Sequence, residues 1–196
     1  REPRGEGGNA LMLGNLAIEP FDKQKHDRTA FSSGVEQVDT FLHEKVGRQV
    51  KGETARVFTA VALDHSPEAI LGFYSINAHS VHYEQLHSRY RRYAHADGSI
   101  PGAFIGMIGV DQSAQGQGIG GMLLTDALKR AFLASQQIGT AVVMLDILNC
   151  GNPDAVARRQ RLYEGYGFKS LNSDPLRMFM PMKTVAALCG SQEDDT

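Results

Sequence analysis

The sequence has few cysteines and no long apolar run, and each scarcity excludes a class of protein. Cys150 and Cys189 are its only cysteines, so they form neither a disulfide framework nor a zinc-binding pattern. The purely apolar stretches are only a few residues long, which excludes a membrane-spanning helix. The first residues lack the apolar core of a secretory signal, so we expect a cytoplasmic protein with reduced thiols.

Neither sign of charge dominates the composition. The chain has 20 basic and 22 acidic residues, a net charge of −2 and a pI near 6.4, which does not indicate a general nucleic-acid-binding protein. With 196 residues, 42% hydrophobic and 21% charged, it has the size and composition of one folded domain. We expect a flexible segment at residues 1–11, a single domain at 12–188 and a flexible acidic tail at 189–196.

The apolar pattern alternates between strands and helices. Strands are predicted at residues 13–18, 56–63, 70–78, 103–110, 141–148, 168–171 and 176–182, and helices at 38–50, 119–132 and 152–167. Ser33 and Glu36 have the spacing of a capping box, and Asn152 before Pro153 is typical of a helix start. Residues 80–102 form an unusually long connection, which indicates a functional or partly helical segment. The pattern predicts an α/β domain with a mixed sheet.

The most informative motif follows the fourth predicted strand. Glycines at positions 116, 118, 120 and 121 form a turn that opens a helix. Because glycines leave the backbone accessible, several amides can converge on an anion at the positive end of this helix, and a pyrophosphate is the natural ligand. No Gly-Lys-Ser/Thr follows, which excludes a nucleotide-triphosphate loop, and a dinucleotide-binding loop would follow the first strand instead. Taken alone, the motif is also compatible with a purely structural turn.

This order of elements resembles the GNAT family of acyl-CoA N-acetyltransferases. The family's pyrophosphate loop, Arg/Gln-x-x-Gly-x-Gly/Ala, is matched by Gln115, Gly118 and Gly120. Its tyrosine about four residues before Gly-Phe is matched by Tyr163 and the Gly-Phe pair at 167–168. The resemblance implies a GNAT fold, with a mixed, mostly antiparallel twisted sheet flanked by helices, and acetyl-CoA as co-substrate.

Three further segments resemble the acetyltransferase toxins of toxin–antitoxin pairs. They are residues 31–42, 72–75 and 178–182. The whole resemblance extends over roughly residues 16–182. It implies that the acceptor is the amino group of an aminoacyl-tRNA, whose acetylation blocks translation, and that a small ribbon-helix-helix-type antitoxin covers the active-site face.

If acetyl-CoA binds as the resemblance implies, the protein backbone holds most of it. The candidate cofactor-binding residues are Ile108, Gly109, Val110, Gln115, Gly116, Gln117, Gly118, Ile119, Gly120 and Gly121. Loop amides would hold the pyrophosphate, and residues 108–110 would pair with the pantetheine arm like an added strand. The Gln115 side chain would add a neutral donor where the family often has a charged Arg. The strands would splay here, exposing an amide that polarises the thioester carbonyl; removal of such a donor usually costs ~3 kcal/mol.

Tyr163 is the candidate catalytic residue. Acetyl passes directly to an unprotonated amine, so the departing thiolate needs a proton, and a phenol with a reference pKa of about 10 carries one at neutral pH. Tyr163 also fits a core position on its helix, as nearby Tyr166 does. Arg159 stands one turn earlier, where the family often has Ala. No general base stands out; Asp146 fits either that role or a structural one.

The candidate substrate-binding residues are four arginines. Arg89, Arg91 and Arg92 lie in a segment that also carries tyrosines, so cations could meet phosphates while rings stack on unpaired bases. Arg159 would extend this surface. The same segment also fits a solvated loop that its tyrosines anchor. Met107 departs from the toxins, which commonly have Arg at that position.

Three functions are compatible with these residues. The first is an aminoacyl-tRNA-acetylating toxin with an antitoxin partner, and the second is an acetyltransferase for a small-molecule or protein amine. The third is a non-catalytic acyl-CoA-binding regulator, which Tyr163 and the intact loop disfavour. The resemblance also suggests a homodimer. No metal is expected, because His79 and His82 have no carboxylate or thiol nearby to complete a site.

Overall fold

A computed structural model describes residues 15–190 of the chain. The strands are β1 (Leu16–Pro20), β2 (Arg56–Ala62), β3 (Gly72–His82), β4 (Ser99–Val110), β5 (Val142–Asp146), β6 (Lys169–Ser170) and β7 (Arg177–Pro181). The α-helices are α1 (Glu36–Thr40), α2 (Val46–Lys51), α3 (Ile119–Ser135), α4 (Pro153–Gly165) and α5 (Met182–Gly190). Among these residues, no helix is long and apolar enough to cross a bilayer.

The described strands form one sheet in the order β1-β2-β3-β4-β5-β7-β6. Only β4 and β5 run parallel, and every other neighbouring pair is antiparallel. The second and third predicted strands, 56–63 and 70–78, correspond to β2 and β3, which are antiparallel neighbours. A mixed, mostly antiparallel sheet flanked by helices is therefore confirmed as the fold.

The two faces of the sheet are covered by different elements. On one face, α3, α4 and α5 pack over a core that includes Tyr74, Ile105, Leu123, Val143, Met178 and Val185. On the other face, the segment from Phe31 through α2 covers part of the sheet. The connection between β3 and β4, which contains two short 3-10 helices (Tyr83–Gln85 and Ser88–Tyr93), covers another part. We call this second side of the sheet the acceptor face.

Two predicted helix starts have different outcomes. Asn152 caps α4 as predicted, because its side-chain oxygen accepts the Ala155 amide at 3.1 Å. The capping box predicted at Ser33 is wrong, because α1 begins at Glu36 without a side-chain cap. The Asp39 carboxylate instead accepts the Ser33 amide at 2.7 Å and its hydroxyl at 2.6 Å. An ionised acceptor makes stronger hydrogen bonds than a neutral cap, so Ser33 is bound to it.

The carboxyl-terminal helix α5 was not predicted. The last predicted strand ends at residue 182, and no element is predicted for the rest of the domain to residue 188. In the structure Val185 is fully buried and α5 packs against α3. Cys189 and Gly190, assigned to the flexible tail, are the last two residues of this helix. Residues 191–196 and the expected flexible segment 1–11 lie outside the described residues.

Burial on α3 gives a direct test of the core. Leu123 is 0% exposed, whereas Leu133 on the same helix is 55% exposed. We expect Leu123→Ala to lower the free energy of unfolding by about 2–5 kcal/mol, because it leaves a cavity against the sheet. Leu133→Ala, the matched control, should change it by less than about 0.5 kcal/mol. Urea denaturation of both variants measures the difference; equal losses would contradict the packing described here.

Candidate active site

The sheet opens where β4 and β5 separate. Residues 102–105 of β4 pair with residues 142–145 of β5, and beyond them the two strands no longer pair. At the same point Gly106 is an extra residue in β4, because Ser75 of β3 faces Met107 and the next residue, Ile76, faces Ile105. Such a bulge bends a strand and increases its twist. The remaining residues of β4 therefore diverge from β5.

A cleft of about 320 Å³ lies at this opening. Its lining residues are Gln37, Val38, Ile105, Gly106, Met107, Ile108, Leu145, Asp146, Ile147, Leu148, Asn149, Arg159 and Tyr163. Tyr163 comes from the helical layer of α3 and α4, whereas Met107 packs with the cluster on the acceptor face. Groups from both sides of the sheet thus meet in one cleft.

The glycine turn after β4 exposes its backbone. Gly116 and Gly118 have φ values of 77° and 82°, which only glycine adopts easily, and a side chain at either position would meet no neighbour within 4 Å. The first intrahelical bond of α3 runs from the Met122 amide to the Gly118 carbonyl, at 3.2 Å. The amides of residues 119–121 therefore precede the helical ladder and are available to an anion. This geometry fits a bound pyrophosphate.

The Gln115 side chain holds the turn in place. Its amide nitrogen donates to the carbonyl of Ser33 at 2.9 Å and to the carbonyl of Val110 at 3.0 Å. These bonds tie the turn to the end of β4 and to the segment before α1. In this arrangement the Gln115 carboxamide is engaged with the protein, so its contact with a pyrophosphate stays a prediction and requires that these bonds exchange. Gln117 makes a similar internal bond, to the Ser113 carbonyl at 3.1 Å.

Residues 108–110 lie on the diverging part of β4. They pair with residues 72–74 of β3 on one side, while β5 has already ended its pairing on the other. This leaves a strand edge beside the cleft, where the pantetheine arm is predicted to pair. Gly109 also has a packing role that the sequence did not reveal: a side chain there would lie 2.5 Å from Val38 of α1.

Tyr163 packs against the core of the helical layer and also lines the cleft. Its ring packs edge-on against Phe168, with the centroids 6.1 Å apart. Burial raises the pKa of Tyr163 above the usual tyrosine value, while the positive charge of Arg159 acts in the opposite direction. The phenol is therefore held in its protonated, proton-donating form.

Arg159 shapes the wall of the cleft. Its guanidinium donates to the Leu148 carbonyl at 3.1 Å and contacts the Cys150 sulfur at 3.3 Å. This contact with Arg159 lowers the pKa of the exposed Cys150 thiol. Arg159 thus fixes the turn that follows β5. The structure does not bring it together with the other three predicted substrate-binding arginines.

Those three arginines lie on the connection between β3 and β4. Each guanidinium sits over a tyrosine ring: Arg89 over Tyr90 at 5.0 Å, Arg91 over Tyr83 at 5.2 Å and Arg92 over Tyr93 at 4.9 Å. All three arginines are exposed, and Tyr90 anchors the segment edge-on against Phe179, with 5.1 Å between centroids. The segment belongs to the acceptor face but does not line the cleft.

An ion pair at the end of β5 was missed by the sequence analysis. Arg177 of β7 donates to both oxygens of Asp146, at 2.7 and 2.8 Å, which raises the pKa of Arg177. The Arg177 guanidinium also lies 5.6 Å from the centroid of the Phe104 ring. Only the antiparallel register of β5 and β7 makes these residues neighbours, and the sequence did not provide it.

Comparison with known proteins identifies the family to which this fold belongs. The model of the Acetyltransferase (GNAT) domain matches residues 55–170. A probable toxin TacT of Sinorhizobium fredii is 46% identical over 88% of this chain and 94% of its own. A tRNA-acetylating toxin of Mycobacterium tuberculosis is 27% identical over 84% of this chain and 91% of its own.

Solved structures agree with the sequence relatives. A tyrosine-to-phenylalanine mutant of KacT superposes with a TM-score of 0.76 at 27% identity, over 88% of this chain and 98% of its own. The structure of AtaT with acetyl-methionyl-tRNAfMet superposes with a TM-score of 0.76 at 24% identity, over 89% of this chain and 99% of its own. An AtaT mutant bound to the carboxyl terminus of the antitoxin AtaR and to acetyl-CoA superposes with a TM-score of 0.71 at 24% identity, over 88% of this chain and 97% of its own. Sequence and fold agree: this chain belongs to the GNAT family of acetyltransferases.

Proposed function

We propose that this protein transfers acetyl from acetyl-CoA to the amino group of an aminoacyl-tRNA and thereby acts as a translation-blocking toxin. The cleft between β4 and β5 carries the proposal, since Tyr163 of the helical layer and Met107 of the acceptor face meet there, beside the strand that leads to the glycine turn. Similarity to a probable toxin and to a tRNA-acetylating toxin supports this acceptor. AtaT, a structural neighbour, is known with acetyl-methionyl-tRNAfMet.

The proposed chemistry on the acetyl-CoA side needs few side chains. The amides of residues 116–121 bind the pyrophosphate, and the free edge of β4 at residues 108–110 pairs with the pantetheine arm. The amine nitrogen attacks the thioester carbonyl carbon and the carbon–sulfur bond breaks. Tyr163 gives its proton to the departing sulfur. The proton that the amine nitrogen releases then reprotonates Tyr163. The products are the N-acetylated amine and CoA thiol.

The acceptor face has groups suited to the end of an RNA strand. Arg89, Arg91 and Arg92 offer three exposed cations for phosphates, and the exposed Tyr93 offers an aromatic ring for an unpaired base. A local surface of this kind is compatible with a net charge of −2, since contact with a strand end involves only a few phosphates. Arg159, which lines the cleft, adds a fourth cation for the acceptor.

The proposal includes an antitoxin partner and a location in the compartment where translation takes place. An AtaT mutant toxin is known with the carboxyl terminus of the antitoxin AtaR, and the KacTA–DNA complex has also been solved. We propose a ribbon-helix-helix-type antitoxin that covers the acceptor face, a cytoplasmic location set by the acceptor, and a single catalytic domain at residues 12–188. A homodimer is part of the same proposal.

Transfer of labelled acetyl groups tests the proposed acceptor. The purified protein is incubated with [14C]acetyl-CoA and one of four acceptors: aminoacylated tRNA, the same tRNA after deacylation, free amino acids, or a small polyamine. We expect label only in aminoacylated tRNA, released by mild alkali as an N-acetyl amino acid because the ester bond breaks. Label in the amino acids or polyamine would establish the small-amine function instead. No transfer to any acceptor, with acetyl-CoA still bound, would indicate a non-catalytic regulator.

A further inference from the structure

We propose that Asp146 and Arg177 form the subsite that receives the acceptor's amino group. Asp146 accepts a hydrogen bond from the amine and thereby points the lone pair of the amine nitrogen at the thioester carbon. Arg177 is the positioning residue that holds the Asp146 carboxylate. This inference rests on the proposed acetylation of an aminoacyl ester. Among the residues described as lining the cleft, Asp146 is the only carboxylate.

The geometry of the pair leaves Asp146 able to bind a ligand. Arg177 occupies one position on each carboxylate oxygen, at 2.7 and 2.8 Å. A carboxylate has about four acceptor positions, so about two remain. The Asp146 side chain is 41% exposed, and the residue lines the cleft, so these positions are accessible from the acceptor side.

Several contacts restrict the motion of this carboxylate. The two bonds from Arg177 fix its plane, and the Arg177 guanidinium lies over Phe104. Phe104 in turn packs against His79, with 5.2 Å between ring centroids. The pair also joins two adjacent strands at matched positions of the register. A group held in this way can orient a reactant at little entropic cost.

The placement of Asp146 complements that of Tyr163. In direct transfer the amine approaches the carbonyl carbon from one face of the planar thioester, whereas the sulfur lies in that plane and needs a proton donor of its own. Tyr163 approaches the cleft from the helical layer, and Asp146 lies with Arg177 and Phe104 on the acceptor face. The amine therefore binds at Asp146 and the sulfur leaves toward Tyr163.

The ion pair makes Asp146 an orienting group. Arg177 already donates to both oxygens, so a proton placed on the carboxylate would weaken one of those bonds. An α-amine on an ester loses its proton more readily than a lysine does, and it therefore enters largely neutral near pH 8. Its N–H donates to Asp146 while its lone pair attacks. The nitrogen's surplus proton replaces the one that Tyr163 gave to sulfur.

The test compares two inhibitors that differ only in the amine. Both are short oligonucleotides with an amide-linked, non-hydrolysable 3′-acyl group, one carrying alanyl and the other the des-amino propionyl group. We expect the wild-type protein to bind the alanyl form about 10-fold or more tighter, the effect of a hydrogen bond to a charged acceptor. Asp146→Asn should reduce this preference to below about threefold. It should also raise KM for aminoacyl-tRNA much more than it lowers kcat.

Asp174→Asn is the matched control, because Asp174 lies near Arg177 but does not line the cleft. Its preference for the alanyl inhibitor should equal that of the wild type. Arg177→Lys keeps the charge but loses the paired geometry, so it should retain part of the preference, and Arg177→Gln less. Acetyl-CoA affinity, measured by calorimetry, should stay unchanged in all four variants and shows that each is folded.

If the wild type acetylates aminoacyl-tRNA but Asp146→Asn keeps the full preference, the subsite is wrong and the function stands. If the wild type transfers nothing to aminoacyl-tRNA, the function fails first, and with it this inference.

Discussion

Replacing Tyr163 with phenylalanine is expected to lower kcat for acetyl transfer by about 100-fold or more, because it removes the proton that the departing thiolate needs. Acetyl-CoA affinity should stay within about twofold of the wild type, since the ring keeps its packing against Phe168 and Tyr163 lies on α4, outside the glycine turn. Single-turnover kinetics and calorimetry separate the two quantities. Near-normal kcat in this variant would remove Tyr163 from the mechanism.

The ionisation of Tyr163 provides a second readout of the same role. Burial raises the pKa of Tyr163, so the protonated, active form persists above the usual tyrosine value of about 10 and is lost only at higher pH. Ultraviolet titration of wild type and Tyr163→Phe, taken as a difference, should show one phenol that ionises above that value. Tyr166→Phe is the control for kcat, because Tyr166 directly follows α4 and is not among the cleft residues. Its kcat is measured at saturating acetyl-CoA, because the Tyr166 hydroxyl lies close to Gly121 of the glycine turn. A comparable loss of kcat in this control would point to helix packing as the cause.

Motifs contained in one continuous stretch of chain were predictable. The glycine turn and the tyrosine before Gly-Phe each occupy a few consecutive residues, and the alternation of strand and helix patterns predicted the α/β class. The start of α4 at Asn152 was predictable for the same reason, because its capping bond spans three residues. Local hydrogen bonding and backbone conformation determine such features.

Features set by contacts between distant segments were not predictable. The Gln115 side chain is engaged by the Ser33 carbonyl, 82 positions away in sequence. Arg177 reaches Asp146 across 31 positions through the pairing of β5 with β7. In each case the partner is determined by strand register and tertiary packing, which no local pattern records.

The site also depends on a β-bulge in β4, which only the hydrogen-bonded pairing of β3 with β4 reveals. Gly106 reads in sequence as one more residue of a strand, yet it is the residue that β3 leaves unpaired and the point where β4 parts from β5. The predicted splaying came from the family resemblance rather than from this residue. A single bulge thus converts a continuous sheet into one with a cleft, and the loop beyond it supplies the anion-binding amides.

Replacing Gly118 with valine is expected to weaken acetyl-CoA binding by about 100-fold. A φ of 82° is strongly unfavourable for a β-branched residue, so the turn must change shape at the start of α3. The loss of one amide bond to the pyrophosphate, together with the backbone strain, costs about 3 kcal/mol, which corresponds to that factor. Isothermal calorimetry with acetyl-CoA measures it directly, and kcat at saturating acetyl-CoA should fall much less, because Tyr163 keeps its place.

Gly139→Val is the matched control for this substitution. Gly139 follows α3 instead of preceding it, and a side chain there meets no neighbour within 4 Å, as at Gly118. Gly139 does not have the left-handed backbone of Gly118, so valine should be accommodated and acetyl-CoA affinity should stay within about twofold of the wild type. The two variants thus separate the backbone geometry of the turn from the general effect of adding a branched side chain. Equal affinities in both would mean that the turn around Gly118 does not bind the pyrophosphate, and the assignment of the glycine turn as the acetyl-CoA site would be wrong.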